Sequence, residues 1–427
     1  MESIKILPSA LSGEVKVPPS KSMSHRAIIA AGLSEGKSYL SNIVLSDDIR
    51  ATLEGMKAFG ISIELEEKDD ETYNIIINGN EKLKLLNDKI DCKESGSTLR
   101  FLIPMAGIIN EKVVFTGSGK LVERPLDAYY EIFKEQEIYY NNDNGKLPLT
   151  VNGKLKAGDF KIKGDVSSQF ISGLLFVLPL LNGKSTITLT ASLESKAYVD
   201  LTLDILKRFS INVENHGYEK LIIKGNQRYT PRNYRVEGDY SQGAFWIVAG
   251  ILEGNILCKD LNIDSLQGDK EIIEIIQYMG GSILVNEDSI RVEKSITNGI
   301  TIDASQCPDL VPILATLGAL SKGTTRIINA ERLRIKESDR LKAMATELKK
   351  LGADILETED GLEIQGKEFL NGGVVDSWND HRIAMALAIA SIKCKDTVTV
   401  TNSHVVNKSY PGFWDDFVEL DGKIKIL

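Results

Sequence analysis

Cysteine is scarce in this chain: four thiols in 427 residues, at Cys92, Cys258, Cys307 and Cys394. None forms a C-x-x-C pair, and no histidine stands at zinc-finger spacing from any of them. That excludes a disulfide scaffold and the common zinc motifs, and leaves buried thiols in a reducing compartment. Long hydrophobic runs are missing too. Stretches such as Leu174–Leu181 and Ala244–Leu252 fall far short of the ~20 residues that a membrane helix needs. Residues 1–15 lack a basic segment followed by an apolar run, so no signal peptide is expected and the location expected is cytoplasmic. There is no basic excess: 51 Lys+Arg face 60 Asp+Glu, a net charge of −9, which speaks against a sequence-independent nucleic-acid binder. The motifs G-x-G-x-x-G, H-E-x-x-H and G-x-S-x-G are absent. Gly117-Ser118-Gly119-Lys120 has the end of a phosphate-binding loop, but Val114 stands where its first glycine belongs.

What is present is a repeat. An apolar, small-residue-rich helix followed by a turn and a β-rich stretch begins near Ser20, Ser95, Ser167, Asp239, Pro308 and Asn379. The copies lie about 71 residues apart, so six units fill the chain. After each β stretch comes an amphipathic helix, with Ile49, Leu53, Met56 and Phe59 in the first unit and Leu341, Met344, Leu348 and Leu351 in the fifth. Gly60, Gly280–Gly281 and Gly352 suit left-handed caps at the ends of such helices. Pairs such as 61–65 with 73–77, and 354–357 with 362–365, read as strand, turn, strand. Each unit is thus approximately β-α-β-α-β-β. The first helix of each is apolar all round and expected to be buried, and the amphipathic helices are expected to cover the sheets from outside. Six units exceed one core and divide naturally into two groups of three, with the polar stretch 225–235 as the linker candidate.

Polar residues collect at the start of each apolar helix. They are Lys21, Ser22 and Arg26; Ser95, Gly96, Ser97 and Arg100; Ser167, Ser168 and Gln169; Asp239 and Ser241; Asp309; and Asn379, Asp380, His381 and Arg382. Ser, Asp and Asn there can be N-caps, which accounts for Asp239 and Ser241. Cations in a first turn oppose the helix dipole and need another reason. Converging helix starts with such cations would form an anion site; solvated surface cations at unrelated places are the alternative. A second set lies between β stretch and amphipathic helix: Arg124, Ser195–Lys196, the run Arg332–Arg340, and Lys408. In that run Lys336 and Arg340 are spaced to share a helix face, while Glu337 and Asp339 suit a helix N-terminus. A solvated charged face is the alternative for the run. Of four histidines, His381 is best placed to act, His216 sits in a polar turn, and His25 and His404 are ambiguous.

These residues resemble the enolpyruvyl transferases over essentially the whole chain. The resemblance rests on PSKSMSHR at 19–26, SGSTLRF at 95–101, ERP at 123–125 and SSQF at 167–170. SKAYVD at 195–200, RIKESDR at 334–340 and NDHRIAM at 379–385 complete the ordered set. It implies an α/β fold of two globular domains, each of three β-α-β-α-β-β units, in an inside-out α/β barrel arrangement. One domain would hold residues 20–235, the other residues 1–19 plus 236–427, with the active site in the cleft between them and closure on binding. The implied reaction joins phosphoenolpyruvate to shikimate 3-phosphate with release of phosphate, without metal or organic cofactor, by a monomer.

By the same resemblance, Lys21, Ser22, Arg26, Ser167, Ser168, Gln169, Ser195, Tyr198, Asp309, Arg332 and Lys336 bind shikimate 3-phosphate. Lys21, Gly96, Ser97, Arg124, Gln169, Arg340, Arg382 and Lys408 bind phosphoenolpyruvate. Asp309 is the expected base, Glu337 or Lys408 the expected acid, with His381 in support and Lys21 bridging both substrates. The chain departs from the family pattern at Glu94-Ser95-Gly96-Ser97, where Asn-Ala-Gly-Thr is common, at Phe101 for Pro, and at Arg332 for Asn. These positions bear on the response to glyphosate, a competitor of phosphoenolpyruvate. The branch of the family acting on UDP-N-acetylglucosamine is the alternative. It usually carries a cysteine before its Arg-Pro pair, whereas the loop 117–125 here has none.

Overall fold

The computed structural model describes residues 2–80 and 82–427; residues 1 and 81, which fall inside the two expected domains, lie outside the described residues. The chain divides into two compact units: Met1–Pro18 with Glu237–Leu427 (unit 1), and Pro19–Val236 (unit 2). Each has its own hydrophobic core.

Twelve α-helices occur among the described residues. Unit 2 holds α1 (Lys21–Gly32), α2 (Asp47–Ala58), α3 (Gly96–Ile109), α4 (Asp127–Glu135), α5 (Ser168–Val177) and α6 (Lys196–Arg208). Unit 1 holds α7 (Tyr240–Glu253), α8 (Ile272–Tyr278), α9 (Val311–Ala319), α10 (Arg340–Lys350), α11 (His381–Ser391) and α12 (Phe413–Glu419). The helices that open the units, α1, α3, α5, α7, α9 and α11, are buried almost all round, as their apolar, small-residue composition requires. Gly60, Gly280 and Gly352 follow amphipathic helices with φ of 83°, 86° and 86°, the left-handed conformation that glycine adopts without a Cβ penalty.

Among the described residues, six four-stranded sheets accompany the helices. One shows the rule. Strand 89–91 runs parallel to 113–116, which is antiparallel to 146–152, which is antiparallel to 139–143. Ile90, Phe115 and Leu149 share one buried row. The β-α-β-α-β-β order of a unit therefore becomes the spatial order first, second, fourth, third.

Three sheets borrow a strand from a distant part of the chain. Residues 233–235 pair parallel with 36–43 and open the first sheet of unit 2. Residues 11–16 open the sheet around 254–259, and residues 4–7 lie between 398–401 and 423–426 in the last sheet. The stretch 225–235 is accordingly not a loose linker: it carries a strand, and Tyr229 within it is buried, its hydroxyl donating to Phe176 O.

The amphipathic helices do not cover the sheets from outside. Helix α2 packs on α1 and α3, and α6 on α5 and α1. Tyr129 of α4 donates to Arg100 O in α3 and Phe170 O in α5. In unit 1, α10 packs on α9 and α11, and Phe413 of α12 stacks on Trp246 of α7. Helices thus form the interior, and strands such as 62–67 and 139–143 show water a largely exposed face. The apolar stripe of each amphipathic helix finds its partner in the uniformly apolar helices, which present such surface on every side.

Candidate active site

Within each unit the helix starts converge, and the residues singled out in the sequence gather there.

In unit 2, Lys21 at the first position of α1 pairs with Asp48 of α2 at 2.7 Å. The Asp48 carbonyl accepts from the Thr98 hydroxyl of α3, and Thr98 bonds in turn to Thr52, which reaches His25 Nδ1 at 2.7 Å. Burial, with Lys21 and Arg26 nearby, holds the His25 imidazole well below its usual value, so it is neutral at pH 7. The start of α3 meets the start of α5 through a short chain: Arg100 donates to Gln169 Oε1 at 2.7 Å, and Gln169 Nε2 donates to Ser97 Oγ at 2.9 Å. Arg100 thereby fixes which end of the Gln169 amide faces Ser97. A Cβ on Gly96 would stand 2.6 Å from Arg124 Nη1 and 3.3 Å from Arg100 Nη1, so only glycine lets the two guanidinium groups come this close to the helix start.

Arg26, one turn into α1, is fully buried. Its Nη1 donates to Ser22 O, its Nη2 to Tyr198 O and its Nε to Thr202 Oγ1, which ties α1 to the first turns of α6. The guanidinium also lies over the rings of Phe101 (5.2 Å) and Tyr198 (5.9 Å). Burial brings it down to about 10, so it remains charged at pH 7. Ser167 caps α5 through Gln169 N, with Ser168 buried beside it. Ser195 precedes α6 in a left-handed conformation, φ 54°.

In unit 1, Asp309 stands just before α9 and collects three cations: Arg340 Nη1 at 2.9 Å, Arg382 Nη2 at 3.3 Å and Lys336 Nζ at 3.7 Å. Burial pushes the Asp309 carboxyl up, but Arg382, Lys336 and Arg340 outweigh it and hold the group well below the ordinary carboxylate value. Burial likewise brings the Lys336 ammonium down to about 8, with Arg340 and Arg332 adding to the effect and Asp309 opposing it. Arg340 also donates to Glu337 Oε2 at 2.7 Å and to Asp380 Oδ2 at 2.8 Å. Asp380 caps α11 through Arg382 N, and His381 Nδ1 lies 3.8 Å from Asp380 Oδ1. Lys408 donates to Asn379 O at 2.7 Å, and Arg332 to Ser305 O at 2.6 Å.

Two local expectations change. Asp239 is the cap of α7, but the Ser241 hydroxyl is not a cap: it accepts from Arg382 Nη2 at 2.6 Å and joins α7 to α11. Lys336 and Arg340 do not share a helix face, because α10 begins only at Arg340. Lys336 lies in the extended stretch before it, and the two meet instead through Asp309.

The sequence now has a context in other proteins. A family model described as EPSP synthase (3-phosphoshikimate 1-carboxyvinyltransferase) matches residues 7–417. The chain belongs to the EPSP synthase family. It is 63% identical over 428 residues to a protein of Clostridium novyi (strain NT) named 3-phosphoshikimate 1-carboxyvinyltransferase, an alignment covering 99% of this chain and 98% of that one. A protein of the same name from Clostridium acetobutylicum is 57% identical with the same coverage. Among solved structures, an EPSP synthase from Acinetobacter baumannii superposes with a TM-score of 0.84 at 26% identity, covering 100% of both chains. The fold is therefore that of the EPSP synthases, and the family is one of transferases. The UDP-N-acetylglucosamine branch is not favoured.

Sequence reasoning passed over Asp48 and Thr202 as partners of Lys21 and Arg26, and it named Asp380 without its arginine partner. Asp48 follows the cap Ser46 in the first turn of α2, where an acidic residue has an ordinary dipole role; nothing in the sequence marks it as the partner of Lys21. Asp380 stands inside the NDHR motif and could have been taken as a partner for an arginine. The four thiols are free and buried, and burial pushes all of them up, which leaves them inert. Among the described residues, no helix is long and apolar enough to cross a membrane.

Proposed function

We propose that this chain transfers the enolpyruvyl (carboxyvinyl) group of phosphoenolpyruvate to the 5-hydroxyl of shikimate 3-phosphate, as a cytoplasmic monomer without a cofactor. The observation that carries the reading is Asp309 held among Arg340, Arg382 and Lys336. The two substrates bring two phosphates and two carboxylates. Holding them together requires fixed cations, and a base must stay deprotonated among those cations.

In this reading Arg26, Ser22, Ser167, Ser168, Gln169, Ser195, Tyr198, Arg332 and Lys336 hold the shikimate substrate. Gly96, Ser97, Arg124, Arg340, Arg382 and Lys408 hold phosphoenolpyruvate, and Lys21 and Gln169 serve both. The 5-hydroxyl oxygen bonds to C2 of the enol as its proton passes to Asp309, and C3 receives a proton from Glu337 or Lys408. The tetrahedral adduct then loses a C3 proton and expels phosphate, which restores the double bond. Unliganded, Asp309 is a weak base, because three cations stabilise its carboxylate. Substrate anions that settle on Lys336, Arg340 and Arg382 offset that charge and raise its basicity when it is needed.

The test is direct. Phosphate release should require phosphoenolpyruvate and shikimate 3-phosphate together. Turnover with UDP-N-acetylglucosamine in place of the shikimate substrate, or none with either, would overturn the reading.

A further inference from the structure

Glu347 is the only fully buried glutamate among the described residues, 1% exposed, and the mechanism above does not use it. It lies seven residues after Arg340 on α10, two turns along and on the same face, about 10 Å further down the axis. Its carboxylate accepts from Trp378 Nε1 at 2.7 Å and from the Asp376 backbone N–H at 2.9 Å. Among the described residues its one ion-pair partner is Lys350, which is 46% exposed and donates to both oxygens, at 2.9 and 2.7 Å. A half-solvated lysine does not explain a carboxylate withdrawn from water. The two loop donors do.

The loop they belong to is 376–380. Trp378 and Asn379 both have left-handed backbones, φ 53° and 54°, a conformation that is unfavourable for a residue with a side chain and persists only where the surroundings enforce it. The enforcement has two points on α10. Arg340 grips Asp380 at one end of the loop, and Glu347 grips Asp376 and Trp378 at the other. Asp376 also accepts from Trp378 N and from Thr401 Oγ1, so the far end is fastened to the neighbouring strand as well. What the loop carries is the phosphoenolpyruvate side of the site: Asn379 O holds Lys408, and Asp380 caps the helix that presents His381 and Arg382.

We propose that Glu347, through Trp378, is a positioning residue that sets where Arg382 and Lys408 stand and so determines the affinity for phosphoenolpyruvate. The inference rests on the assignment of those two cations in the proposed function. A carboxylate is required because both of its oxygens accept. Glutamine offers one acceptor and turns an N–H against the other donor. An apolar residue would leave two partly buried N–H groups without this acceptor.

Glu347→Gln and Trp378→Phe are the informative variants. Each should raise KM for phosphoenolpyruvate about tenfold, leave KM for shikimate 3-phosphate within twofold, and move Tm by no more than a few degrees. Combining them should add little to either alone, since both break one link. Lys350→Met should leave both KM values unchanged. A fall in Tm with an unaltered phosphoenolpyruvate KM, equal rises in both KM values, or additive losses in the double variant would reduce Glu347 to scaffolding and overturn the proposal. A second readout does not depend on turnover. The chain has three tryptophans, Trp246, Trp378 and Trp414. In protein with ¹⁵N-labelled tryptophan, the indole signal lost in Trp378→Phe should shift in Glu347→Gln, while the other two hold. An unmoved signal overturns the pairing even if the wild-type protein proves inactive with the two substrates. Inactivity with a shifted signal would instead condemn the proposed function and leave the loop anchor standing.

Discussion

Arg26 and Arg340 are both fully buried, one in each unit, and their surroundings are opposite in kind. Arg26 gives its hydrogen bonds to two backbone carbonyls and a hydroxyl and rests on two aromatic faces. Arg340 is met by three carboxylates, those of Asp380, Glu337 and Asp309. Burial lowers Arg26 to about 10; for Arg340 the same burial is outweighed by Asp380, Glu337 and Asp309, and the guanidinium is held above its ordinary value. An arginine held by dipoles and rings keeps its full positive charge for an incoming anion. One held by three carboxylates has much of its charge compensated, and what it adds is geometry. In the proposed reading Arg26 attracts its anion, and Arg340 aligns the one it helps to hold.

Removing each arginine should separate these roles. Arg340→Met leaves three acidic groups together without their cation, and unfolding in urea should show a loss of about 3–5 kcal/mol along with the loss of activity. Arg26→Met leaves only neutral acceptors unsatisfied, with an expected loss of about 1–3 kcal/mol. Its main effect should be a large rise in KM for shikimate 3-phosphate. Equal destabilisation by the two variants would break the comparison.

Asp309→Asn probes the neutralised side from its other end. It should lower kcat by about 10²–10⁴-fold, the usual worth of a general base, with a smaller change in KM. The smallest expected effect is a pH dependence. Lys336 is lowered from 10.5 to about 8 in the folded protein, so between those values the unfolded chain binds more protons than the folded one. The contribution of Lys336 is therefore unfavourable below about pH 8 and is relieved as pH rises toward 10.5. Lys336→Met should remove that rise, seen as the difference between wild-type and variant urea midpoints across pH 7–10. Parallel midpoints would show that Lys336 is not depressed.

Most of the helical framework is legible in the sequence, because the apolar helices, the amphipathic stripes and the glycine caps are local patterns. Ile49, Leu53 and Met56, and likewise Leu341, Met344 and Leu348, are buried as their spacing requires. The borrowed strands 4–7, 11–16 and 233–235 are not legible, since strand pairing joins residues hundreds of positions apart and leaves only a short alternating trace. The side on which the amphipathic helices pack is decided by the helices they meet, which no single helix announces. At the site, Lys21, Arg26, Arg100 and Arg382 stand out as cations at helix starts, whereas Asp309, an acid in such a place, is marked only by the family resemblance. Their partners Asp48, Thr202 and Ser241 do not, because each occupies a place where an ordinary cap, first-turn or surface role would be unremarked.

The strand at 4–7 lies between 398–401 and 423–426, so a strand made before unit 2 is needed by two made after it. Unit 2 is a continuous stretch and has all its strands once residue 236 is made. The segment before it must wait for roughly 190 more residues, about 10–40 s at ordinary rates of synthesis. Until then the strand at 4–7 has no sheet to join, whereas the strand at 11–16 has its partners once residue 293 is made. On the ribosome unit 1 is completed second, although two of its strands are made before any of unit 2.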